Sequence, residues 1–387
     1  MNHRKWCLIF LLSYFEAFPA FTQNDSCHLQ VSLLTCGPGE DLYSIFGHTA
    51  IRIKDSTSRT DTVYNYGTFD DSDPYFYLKF TKGIMVYSLS VEPFSYFMKE
   101  YIQEHRSVTE QILQLSCADK QKLSAALRTN ALERNRYYNY HFYNDNCTLR
   151  ARDIIKKYSG APVIFKKILP DQHTTFRNLI NSYLNKSSKH WSKFGINIFL
   201  GSHLDAPMNN GQAMFLPEYL MKGFSNASKG QEALVSETHE ILPAGNTDQI
   251  NSSWFTPAFL FTILLLITFA LSFFKVPASK TTLAIFDFIF FLSIGLLGIV
   301  MLYLWLGRVD TVCRNNMNLL WALPSHSIIA FFIRSKRRWV KKYFVFTALI
   351  NVILLLGWKW WPQELIYAVI PLCLLIIFRS ISIAQKK

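Results

Sequence analysis

From Trp254 onward the chain is a succession of apolar runs, at about 254–274, 283–306, 319–333, 343–361 and 364–379, and this restricts its fold more than any other feature. Lipid accepts a backbone only where its polar groups are bonded internally, which for runs of this length means helices. The third and fifth are shorter than the roughly 20 residues a straight crossing needs, but together the five predict an all-α transmembrane bundle of about five helices. Charge sets their direction. Residues 254–387 hold 14 Lys and Arg against 3 Asp and Glu, which is +11 of the chain's formal +13. The basic loops 275–282 and 334–342 and the tail from Arg379 follow the first, third and fifth runs, so they belong in the cytoplasm and residues 1–253 outside. Because those first 253 residues are nearly balanced in charge, the basicity reads as membrane orientation, and no nucleic-acid partner is expected.

The other end of the chain agrees. Residues 1–22 place Arg4 and Lys5 before an apolar run that ends among small residues and Pro19, the pattern of a secretory signal peptide. Residues 23–225 then form an exported domain, and the polar stretch 226–253 reads as a linker to the transmembrane domain, 254–387. Five cysteines fall on the exported side: Cys27, Cys36, Cys117, Cys147 and Cys313. An odd number in a compartment that permits disulfides leaves at least one thiol free or paired between chains, and Cys27 with Cys36 is a candidate bridge. No cysteine spacing suggests zinc, and neither a metal nor a cofactor is expected.

Within the exported domain, LQVSLL (29–34), HTAIRI (48–53) and DTVYNYGTF (61–69) read as strands, with 118–130 as an amphipathic helix. The stretch Tyr138–Tyr158 sets a single cysteine where an aromatic strand ends and a helix begins. Asn144, Asp145 and Asn146 are N-cap residue types, and Leu149, Ile154 and Ile155 follow at helical intervals. A thiol in the first turn of a helix feels unpaired N–H groups and the positive end of the dipole, both of which favour thiolate. Cysteine catalysis also needs a base and donors for an oxyanion. His48, at the start of a strand, meets Cys147 if that helix packs across the sheet. Candidate orienting groups for the imidazole are Asn65, Tyr64, Glu40 and Ser44; the Cys147 N–H with Asn146 or Asn144 are candidate oxyanion donors.

A G-H strand motif followed by an N-C helix motif resembles circularly permuted papain-like thiol folds of the NlpC and lecithin:retinol acyltransferase type. GEDLYSIFGHTAIRI, NRYYNYHFYNDNCTLRARDII, FGINIFLGSHLD and MFLPEYL, followed by a multi-span tail, are similar to the bacterial lipoprotein N-acyltransferase family, in which a periplasmic thiol domain precedes a membrane domain. The resemblance runs from about residue 28 to the C-terminus and is closest in the exported half. It implies an α+β fold, an antiparallel sheet with helices, in an inner-membrane protein, with Cys147 as nucleophile and His48 as base. It further implies a phospholipid acyl donor, a Cys147 thioester and, as acceptor, the α-amine of a lipoprotein's diacylglyceryl-modified N-terminal cysteine.

Other residues carry weaker expectations. Arg150 and Arg152 are candidates for lipid phosphate, and Asn318 and Trp321, with the loop 307–318, for seating lipid tails. Asp205 is expected to be structural; His173, His190, His203 and His239 are expected at the solvated surface. The competing readings are a thiol hydrolase on the same scaffold (phospholipase, lipoprotein deacylase or cell-wall peptidase) and a non-catalytic membrane scaffold.

Overall fold

The structure, a computed structural model, describes residues 27–69, 72–245, 254–274 and 277–386. The expected signal peptide and residues 246–253 of the expected linker lie outside them. Strands β1 (Leu29–Cys36), β2 (His48–Asp55), β3 (Thr60–Phe69), β4 (Val86–Pro93), β5 (Val108–Leu113) and β6 (Tyr137–Asn139) belong to the main sheet. Strands β7 (Val163–Ile164), β8 (Ser228–Lys229) and β9 (Glu232–Ala233) make a small second sheet, and β10 (Val235–Leu242) returns to the first. The main sheet runs β10-β5-β1-β2-β3-β4-β6, antiparallel throughout.

Strand alternation splits the apolar residues between two layers. Val31, Leu33, Ile51 and Tyr64 face α3 (Cys117–Asn130), α4 (Cys147–Lys157) and α8 (Pro217–Ser225), where they meet Leu123, Ile155 and Leu220. Leu34, Ala50 and Val63 turn the other way onto Phe97 and Tyr101 of α2 (Phe94–Gln103), which follows α1 (Phe76–Lys82). Since both faces are covered, β1 is buried almost throughout, Ser32 and Thr35 included. Helices α5 (Phe176–Lys186), α6 (His190–Phe199) and α7 (Asn210–Ala213) complete the domain. Arg177 of α5 is fully buried against Asp205, its Nε donating to Oδ1 at 2.7 Å, so Asp205 has the structural place expected of it.

Two expectations are corrected. Cys27 is bonded to Cys117, not to Cys36: β1 is extended, and nine residues at roughly 3.3 Å each put the two proposed partners at opposite ends of it. The expected linker contains three strands, β8, β9 and β10, between residues 228 and 242. β10 pairs along β5 through backbone bonds while exposing most of its polar side chains, so it carries no apolar signal.

Downstream lie α9 (Pro257–Phe273), α10 (Pro277–Gly307), α11 (His326–Ile329), α12 (Arg338–Leu356) and α13 (Val369–Ala384). Among the described residues, α10 and α12 are long and apolar enough to cross a membrane, and α9 and α13 are shorter apolar helices. The run 319–333 is not one helix. It breaks into 3-10 turns and α11 around Pro324, which has no N–H for a helical bond. Asp287 and Arg379 bind each other in a buried bidentate pair, and Arg379 also reaches Ser272, which joins α9, α10 and α13. The two halves share one core: Phe194 and Ile198 of α6 pack with Phe291, Trp321 and Phe344.

Candidate active site

Asn146 caps α4, its Oδ1 accepting from Leu149 N–H at 2.9 Å, which makes Cys147 the first residue of the helix. The first-turn N–H groups of a helix have no intrahelical partner, so the thiol stands at the positive end of the dipole. α4 lies against β2 and β3. Gly67 lets it come close: at φ +96° the residue adopts a conformation that L side chains avoid. A Cβ there would stand 3.2 Å from Cys147 Cβ and 3.7 Å from His48 Cε1. The imidazole and the sulfur therefore both lie against this one position of β3.

His48 Nε2–H donates to Asn65 Oδ1 at 2.6 Å, which leaves Nδ1 free of that bond, and the imidazole and the Cys147 thiol lie together beside Gly67. Burial raises the Glu92 carboxyl pKa above the usual range, and the nearby Asn65 amide partly offsets that rise. Around the sulfur are Thr148 Oγ1 at 3.7 Å and the Thr49 backbone N–H. Burial opposes the thiolate most strongly, yet the charge of His48 and the hydrogen bonds from His48, Thr148 and Thr49 outweigh it, so the Cys147 pKa falls below the ordinary thiol value. His48 mirrors this. Burial lowers its pKa, and the charge and hydrogen bond of Cys147, with the bond to Asn65, carry it above the usual imidazole value. Both shifts favour a thiolate–imidazolium pair.

The remaining candidates fall elsewhere. Tyr64 is buried in the sheet core, Glu40 is exposed, and buried Ser44 donates to Asp41 O at 3.0 Å, so Asn65 alone of the four orienting candidates bonds the imidazole. The Asn146 amide donates to Phe142 O and Phe215 O and cannot also serve an oxyanion. Asn144 is exposed, in a cleft with Arg152 and Gln212 that Cys147 does not line.

Arg150 binds Asp145 bidentately and lies 3.6 Å over the Tyr138 ring, and Arg152 binds Asp153 and Gly211 O. Neither side chain is directed at the thiol, because each found a nearer acceptor. Asn318 and Trp321 are buried and bonded to each other at 2.9 Å, not presented to lipid. The loop 307–318 docks on the N-terminal domain, with Asp310 O accepting from His141 and Tyr143, and Tyr143 also bonds His203, which is half-buried and not at the solvated surface.

Gly67, Thr49, Thr148 and Glu92 were not among the sequence candidates. An isolated glycine inside a strand pattern is the one cue that points to close approach. The buried Tyr138 hydroxyl, which has no hydrogen-bond partner, lies in the same core as Cys147. Among the described residues no three His, Cys, Asp or Glu side chains gather as a metal site would require.

Two family models match the chain: one described as the Lnb N-terminal periplasmic domain, over residues 14–182, and one described as the Lnb transmembrane domain, over residues 249–387. No curated protein and no solved structure matches it. With these two domains in order along most of its length, and a paired thiol and imidazole in the first of them, the chain belongs to the lipoprotein N-acyltransferase-like (Lnb) family of membrane proteins with a periplasmic N-terminal domain.

Proposed function

We propose that the protein is a lipoprotein N-acyltransferase of the inner membrane that works through a Cys147 thioester. The observation that carries this reading is the juxtaposition of Cys147, at a helix start, with a His48 imidazole bonded to Asn65, in a domain packed directly on membrane helices. The Cys147 thiolate attacks an ester carbonyl of a phospholipid; the C–S bond forms, the ester C–O bond breaks, and His48 Nδ1–H gives its proton to the departing lysolipid oxygen. In the second half the α-amine of a diacylated lipoprotein's N-terminal cysteine attacks the thioester. The C–N bond forms, sulfur leaves as thiolate, and His48 takes the amine proton. The Cys147 N–H, unpaired at the start of α4, is placed to hold the oxyanion in both halves. Asn65 keeps the imidazole in the tautomer whose Nδ1 faces sulfur.

Mass spectrometry of lipoprotein N-termini made with the protein, with Cys147→Ser and without the protein tests this reading. A third acyl chain is expected only with the wild type. Its presence in all three samples refutes the proposal, and release of free fatty acid without amide formation assigns the scaffold to a hydrolase.

A further inference from the structure

Helix α1 buries none of its seven side chains: Tyr77 is 81% exposed, Leu78 49% and Phe80 48%. A helix this short has no stability of its own in water, and a contiguous apolar patch marks an interaction surface. Its fixed points identify the partner. Val309 N–H donates to Lys82 O at 3.1 Å and Arg308 Nη1 to Phe80 O at 2.7 Å, so α1 is bonded to the end of α10, the longest apolar helix among the described residues. Arg308 is itself held by Asp310. α10 is long and apolar enough to cross a membrane, and tyrosine is favoured where hydrocarbon gives way to headgroups.

Behind α1 a row of stacked rings leads inward. Phe76 lies 6.0 Å from Phe69, Phe69 5.2 Å from Tyr87, and Tyr87 4.2 Å from Tyr140. Strand register holds the row, since Phe69 pairs with Tyr87 across β3 and β4 and stands two residues beyond Gly67, where an added Cβ would meet Cys147. Burial and then the charge of Cys147 raise the pKa of both Tyr87 and Tyr140, consistent with a shared low-dielectric interior.

We propose that α1 lies in the periplasmic leaflet of a phospholipid bilayer, and that Phe76, Phe69, Tyr87 and Tyr140 form one wall of a track that conducts the donor's acyl chain from that leaflet to the Cys147 sulfur. The proposal rests on the thioester reading above and supplies its substrate path. A tail on this track reaches the thiol without crossing water.

The test uses the full chain in vesicles of phosphatidylethanolamine and phosphatidylglycerol, with the acyl adduct on Cys147 read by intact mass. In Tyr77→Asp/Leu78→Asp, and separately in Phe69→Ala, adduct formation is expected to slow at least tenfold while iodoacetamide still alkylates Cys147 at the wild-type rate. Wild-type adduct rates in both variants overturn the track, and so does a parallel loss of alkylation, which marks α1 as structural. A benzophenone side chain in place of Tyr77 separates this proposal from its parent. It is expected to crosslink lipid, whereas one in place of Glu240, at the opposite edge of the sheet, is not. Equal capture at the two positions overturns the placement of α1 even if the adduct forms. If the wild type forms no adduct while Tyr77 is captured, the thioester reading fails, and the track with it.

Discussion

Arg177 and the Cys147–His48 pair are buried polar groups of one domain, and the protein treats them in opposite ways. Arg177 has its donors engaged: Nε and Nη2 on Asp205, Nη1 on Asn197, and Nη2 again on the carbonyls of Leu200 and Gly201. Nothing is left over for a substrate. The Cys147 sulfur has a distant hydroxyl, a backbone N–H and an imidazole, and the Asn65 bond leaves the Nδ1 side of that imidazole to the sulfur. A saturated buried group is held in place, whereas one with spare valence and a displaced pKa can do chemistry.

Substitutions can break this contrast. His48→Ala is expected to have the largest effect, lowering acyl transfer by about 10²–10⁴-fold. Without the imidazole the cause that raises the thiol pKa, burial, is no longer outweighed. Alkylation of Cys147 should therefore move to higher pH, measured as iodoacetamide rate against pH. In the wild type, transfer should fall on the acid side as Cys147 takes a proton, below the ordinary thiol range because its pKa is lowered. On the proposed mechanism it should fall on the alkaline side as His48, its pKa raised, loses the proton destined for the leaving lysolipid. A profile that rises monotonically through the thiol range would contradict the ion pair.

Arg177→Met should act on folding instead. Leaving Asp205 buried without its partner costs roughly 3–5 kcal/mol, visible as a lowered melting temperature, while the surviving folded fraction alkylates Cys147 at the normal rate. Normal stability with lost catalysis would reverse the assignment of roles. Asn65→Ala should have the smallest effect, about tenfold in transfer rate, the equivalent of about 1.4 kcal/mol for one hydrogen bond to a group that becomes charged. The Asn65→Asp variant, which can still accept from Nε2, should recover most of it. Failure of that rescue, read in the pH profile, would show that Asn65 supports the strand and not the ring.

Much of the site was legible in advance because its signals are local. Asn146 and Cys147 announce a helix start within a few residues, and an FGH sequence at a strand start marks His48. The alternating residues of β2 and β3 show which strands exist. The signals that failed are those in which a side chain had a choice of neighbours. Arg150 and Arg152 look like anion ligands beside the nucleophile, but Asp145 and Gly211 O lie nearer. The same holds for Cys27, whose partner sits 90 positions away, and for β10, which borrows its stability from the edge of β5.

What the sequence by itself determined is the division into an exported half and an apolar half, the thiol at a helix start, and an imidazole on a strand, because composition, capping and periodicity are properties of adjacent residues. Only the tertiary structure decided that Asn65, and not Tyr64, Glu40 or Ser44, bonds the imidazole, that Gly67 stands against both the imidazole and the thiol, and that α1 is bonded to the residues that follow a membrane helix. These depend on distances between segments far apart in the chain, and such distances are set by packing.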